Sequence, residues 1–103
     1  MIYVIATIEL VPGQRAAFLQ AFHANVPAVL AEDGCIEYVP TVDLPTAIPA
    51  QGEERVDVVT VVEKWADVEA LEAHLIAPHM IAYRSKVKDL VARVELQVLE
   101  PAT

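Results

Sequence analysis

The stretch Val56 to Trp65 (VDVVTVVEKW) has the two-residue period of a β-strand, yet both of its faces are apolar: Val58 and Val62 point one way, Val59, Val61 and Trp65 the other. Ile2 to Val11 (IYVIATIELV) repeats the pattern, with Ile2, Val4, Ile8 and Leu10 set against Tyr3, Ile5 and Val11. Strands of this kind belong inside a sheet that is covered on both sides. A chain of 103 residues builds one core, so its own helices can cover one face only. The second face needs a cover from outside, and the simplest is the same face of a second copy related by a two-fold axis.

The remaining segments fit around these strands. The turn pair Pro12-Gly13 closes the first, and from Gln14 to about Glu32 the spacing becomes helical, with Phe18, Phe22 and Val26 four apart and Leu19 and Leu30 completing the stripe. Pro27 removes a backbone donor inside that stretch and predicts a kink or two abutting helical pieces. Asp33-Gly34 supplies the stop. Cys35 to Asp43 reads as a second strand, at an edge because of Pro40, and Leu44 to Arg55, with two prolines and a glycine, as an irregular loop. Asp67 is placed to cap a short helix through about Leu75, and Pro78 to start another running to about Val91. Arg93 to Glu100 alternates as a last strand. The order β-α-β-β-α-β predicts an α+β, ferredoxin-like antiparallel sheet with its helices on one face, a single domain over residues 1–103, and the two-sided strands add that it pairs as a homodimer.

Composition narrows the classes of partner. The formal charge of −8 opposes a phosphate backbone, so neither nucleic acid nor an anionic membrane surface is expected to bind. Hydrophobic residues make up 55% of the chain, but charged residues, Pro or Gly interrupt every apolar run well short of the ~20 residues of a spanning helix. The start of the chain lacks the basic and small-residue marks of a secretory signal, so the expected location is cytoplasmic. The single cysteine, Cys35, lies in an apolar stretch and reads as a small buried hydrophobe. The three histidines, His23, His74 and His79, lack metal-ligand spacing, His23 reading as a surface residue, and three glycines form no phosphate loop. No metal, flavin or nucleotide cofactor is expected.

The run Glu63-Lys64-Trp65-Ala66-Asp67 through Ala70-Leu71, His74-Leu75 and Pro78-His79 resembles the antibiotic biosynthesis monooxygenase family, in particular its quinol-monooxygenase-like members. Val11-Pro12-Gly13-Gln14 and Gly34-Cys35-Ile36-Glu37-Tyr38 are similar to that family's first turn and to the opening of its second strand, so the resemblance covers nearly the whole chain. It implies homodimers whose sheets face one another, a homodimeric α+β barrel. It also implies chemistry without metal or flavin, in which an electron-rich hydroquinone or similar polyphenol is deprotonated and passes an electron directly to dioxygen. The Leu44 to Arg55 stretch departs from the family's shorter, more polar turn and, if it borders the pocket, bears on the substrate. Haem degradation, known in the wider superfamily with an Asn, Trp and His set, fits poorly: the only asparagine, Asn25, falls on the first helix and the tryptophan closes a strand.

Within that scheme His74 and His79 are the candidate catalytic residues, as base or donor, and Trp65, Tyr83, Arg84 and Tyr38 the candidate substrate contacts. Each also has a purely structural reading: Trp65 as core, His79 as a solvated first-turn residue, His74 as a satisfied buried histidine, Tyr83 and Arg84 as helix surface. A fold does not fix a function, so a non-catalytic small-molecule binding or stress-response module on the same dimeric scaffold is the rival to the enzyme, and an isomerase using the same histidines a more distant one.

Overall fold

The computed structural model describes all 103 residues. Strand β1 (Ile2–Leu10) leads through Pro12-Gly13, where Gly13 takes a positive φ and its N–H donates to Asp57, into helix α1 (Arg15–Leu30). Strands β2 (Cys35–Thr41) and β3 (Val58–Trp65) flank the irregular 42–57 segment. Helices α2 (Val68–Leu75) and α3 (Pro78–Val87) follow, and β4 (Val91–Leu99) closes the chain. The four strands pair antiparallel in the order β2-β3-β1-β4, the ferredoxin-like arrangement, with the two helices expected after β3 separated at Ile76-Ala77 and the second ending at Val87 rather than near Val91, where β4 already begins. Pro40 sits on edge strand β2, where its missing donor costs little.

The helices cover one sheet face. Val4, Ala6, Ile8 and Leu10 of β1 and Val59, Val61 and Trp65 of β3 are buried there against Phe18, Phe22 and Val29 of α1 and against Leu71, Met80 and Val87 of the later helices. The α1 stripe therefore runs through Val29 rather than Leu30, which stays half exposed, while Leu19 and Val26 pack at its flanks. Pro27 does not divide α1. It lies in the last turn, where one missing hydrogen bond is outweighed by the apolar contacts on either side. On β4 the residues registered to this face, Val94, Leu96 and Val98, remain about half exposed, because no helix reaches over that edge.

The opposite face carries Ile5, Val58, Val62 and Val39, interleaved with Tyr3, Thr7, Thr60 and Thr41 and ringed by Glu9, Lys64 and Arg93. The hydrophobic core of the chain draws none of its buried residues from this face. The 42–57 segment is tied at its ends by a two-pronged pair in which the Arg55 guanidinium donates to both oxygens of Asp43 (2.9 and 2.8 Å), holding that carboxyl down at about 2.

Candidate functional site

Between the helices and the sheet lies a cavity of about 410 Å³, lined mostly by apolar side chains such as Ile8, Phe18, Phe22, Val61, Met80 and Leu96. Its polar lining is sparse: Tyr38, Glu63, His74, Tyr83 and Arg84, with Lys88 also contributing. No residue of the Leu44 to Arg55 loop lines it. Apolar walls with a few placed polar groups are the usual make-up of a small-molecule site.

His74 reaches the cavity because α2 is short and firmly started. The Asp67 carboxylate caps it by accepting from the Ala70 N–H at 2.8 Å, and the helix turns Leu71 and His74, three apart, inward. His74 is 3% exposed. Its ring packs on the Trp65 indole at 4.6 Å between centroids and meets the edge of Tyr38 at 5.4 Å. Nδ1 lies 2.9 Å from Glu32 Oε2. Burial pulls the imidazole below its ordinary pKa, the Glu32 carboxylate works against that, and His79 and Arg84 reinforce it. The ring is neutral near pH 7.

Trp65 and His79 are brought beside His74 without lining the cavity. Trp65 is fully buried behind the wall, and its indole N–H donates to Glu63 Oε1 at 2.9 Å. His79 follows Pro78 at the start of α3 and faces a smaller cleft with Asn25 and Lys86. Its Nε2 stands 2.5 Å from Glu32 Oε1, a close approach without the alignment of a hydrogen bond. Tyr38 stacks face to face on Phe22 at 5.3 Å, and Tyr83 sets its ring edge-on to Phe18 and Phe22. Burial raises both phenols, which stay neutral donors. The Arg84 guanidinium donates to the Leu75 carbonyl at 2.7 Å, which fixes it at the end of α2.

Two carboxylates joined this group unannounced. Glu63 is 4% exposed, lines the cavity and is raised to about 7, chiefly by burial, against the lowering effect of the Trp65 hydrogen bond. Its signal was present in the sequence, since residues 59, 61, 63 and 65 share one strand face. Glu32 had no such signal, because only folding brings the end of α1 to a helix 42 residues away. Cys35 is half-buried with its thiol pushed up to about 11 by burial and by Glu32 and Glu63, the setting of an unreactive side chain.

The sequence profile of the antibiotic biosynthesis monooxygenases matches residues 1–86. This chain belongs to the antibiotic biosynthesis monooxygenase family. Among the family's relatives, Escherichia coli "Probable quinol monooxygenase YgiN" is 41% identical over 103 residues, 98% of each chain. Two solved structures share the fold over nearly their whole length: Mycobacterium tuberculosis Rv0793 (29% identity, TM-score 0.77, 99% of this chain and 95% of that one) and Pseudomonas aeruginosa PA3566 (25%, 0.79, 99% and 94%). Family membership and the ferredoxin-like α+β fold are thus as the sequence motifs implied, and no helix is long and apolar enough to cross a membrane.

Proposed function

We propose that this protein is a cofactor-independent monooxygenase that oxidises a small electron-rich aromatic of the quinol class with dioxygen, working as a homodimer. The observation that carries the reading is an apolar cavity that holds two buried proton-active groups, neutral His74 and a Glu63 poised near neutrality. Similarity to a relative named as a quinol monooxygenase supports the substrate class.

A quinol reduces dioxygen slowly while its hydroxyls keep their protons, and its anion does so readily. Catalysis therefore needs a base and a water-poor place to hold the ring. In this reading His74 removes a hydroxyl proton. The phenolate passes one electron to dioxygen, and the resulting semiquinone and superoxide join at a ring carbon; the hydroperoxide then loses water to leave a new carbonyl. One quinol and one dioxygen give one hydroxylated quinone and one water. Arg84 and Tyr83 are the donors that stabilise the oxyanion, Tyr38 with Phe22 forms a wall, and Glu63 takes or returns the second proton. Trp65 and His79 act from behind His74.

An oxygen electrode with a panel of hydroquinones and anthrones tests the proposal, together with mass analysis of product made under isotopically labelled dioxygen. Uptake that stops on denaturation, with one labelled oxygen in the product, is the expected result. Saturable binding of the ring without uptake would leave a binding module instead.

A further inference from the structure

We infer that Glu32 is the positioning residue of this site: it sets the tautomer of His74, in a ring that Trp65 and Tyr38 hold in place, so that the unprotonated Nε2 faces the cavity. The inference rests on the reading of His74 as the base. A carboxylate only accepts hydrogen bonds, so the 2.9 Å approach of Oε2 to Nδ1 places the ring's hydrogen on Nδ1. A neutral imidazole then carries its lone pair on Nε2, which has no hydrogen-bond partner in the chain, on a residue that lines the cavity. The ring is not free to turn over, since Trp65 and Tyr38 hold it from two sides.

Glu32 itself is fixed by backbone rather than by its own rotamer alone. Its N–H donates to the Val29 carbonyl at 3.0 Å and its carbonyl accepts from the Cys35 N–H at 3.2 Å. Two residues later Gly34 takes φ +84°, and its carbonyl accepts from the Ala66 N–H at 2.8 Å, which ties this turn to the start of α2. The charged and titratable groups around His74 are Glu32 from the α1–β2 turn, Tyr38 and Glu63 from the sheet, and His79 and Arg84 from α3. His79 and Arg84 disfavour the imidazolium, as burial does; Glu32 is the partner that favours it. Without the carboxylate the base would be weaker, and nothing would hold its hydrogen on Nδ1.

The test compares wild type with Glu32→Gln and Glu32→Asp by two independent readouts. Nitrogen NMR of labelled protein should find wild-type His74 protonated on Nδ1, with the Nε2-protonated form becoming populated in Glu32→Gln, whose amide can pair with either tautomer, and the ring titrating at lower pH. This needs no turnover and stands whether or not quinols are substrates; wild-type His74 protonated on Nε2 would overturn the inference. In turnover, Glu32→Gln should lose about 100-fold on quinols whose hydroxyls are protonated at the assay pH, within the span general bases contribute. The alkaline-rising limb of its rate should move to lower pH, and Glu32→Asp should restore part of the loss. On quinols already ionised at that pH the deficit should shrink to less than about 10-fold. An equal loss on both substrate sets, with the limb unmoved in folded protein, would make Glu32 a packing residue only.

Discussion

Burial moves Glu63 and His74 in opposite directions, and the two shifts make opposite marks on stability. The Glu63 carboxyl is raised to about 7, so the folded state holds a proton that the unfolded chain has already released above its ordinary value near 4.5. Its contribution is whole below about pH 4.5 and is lost as pH rises through 7, for a span of up to about 3 kcal/mol. His74, held low, acts in the reverse sense as pH falls through its range. The difference between wild type and Glu63→Gln isolates the carboxylate: urea titrations should show the variant gaining on wild type from pH 5 to pH 8, and a constant difference would refute the raised value. At the same scale, His74→Ala should cut turnover at least ~100-fold per folded molecule, while His79→Ala, outside the cavity wall, should cost less. A purely packed His74 would instead cost ~1–3 kcal/mol of stability with the rate retained, so melting and rate measured on the same samples separate the two. Histidine, tryptophan and tyrosine positions were legible from motif and helix spacing. Glu63 was readable from strand parity, whereas Glu32 depends on a turn whose packing no local pattern encodes.

Among the elements, α2 depends most on a residue outside itself. Gly34 sits at φ +84°, and a Cβ there would stand 2.6 Å from the Ala70 Cβ of α2. Gly34→Ala therefore meets both left-handed backbone strain and a clash between two segments, and should destabilise by ~2–4 kcal/mol in denaturant titration. Adding Ala70→Gly should relieve the clash and leave the backbone strain, recovering part of the loss; no recovery would show that the approach of α2 is not the cause. The sequence marked Asp33-Gly34 as a helix stop but could not show what packs on the glycine. Element identity was otherwise carried by period and caps: Asp67 and Pro78 mark true helix starts, while Pro27 misled because a proline near a helix end removes little from a face anchored by Phe18, Phe22 and Val29.

For the molecule as a whole, the face that bears Ile5, Val39, Val58 and Val62 is the motive for the proposed homodimer. Sedimentation at micromolar concentration should report about twice 11.2 kDa, and Ile5→Lys, which places a charge at the middle of that face, should shift the protein toward monomer. A wild type that sediments as a monomer would refute this assembly. The two-sided alternation that raised the question is the same signal that fixed the fold, because strands β1 and β3 are central in the observed order. Trp65, the chain's only tryptophan, lies with its indole N–H on Glu63 and its ring against His74. Its emission is therefore a label-free optical probe of the site: a protonated imidazole in ring contact quenches indole fluorescence, and an aromatic guest or a change in the charge on Glu63 shifts the local field. For the proposed reaction, a stopped-flow fluorescence trace should separate ring entry from proton transfer ahead of oxygen uptake.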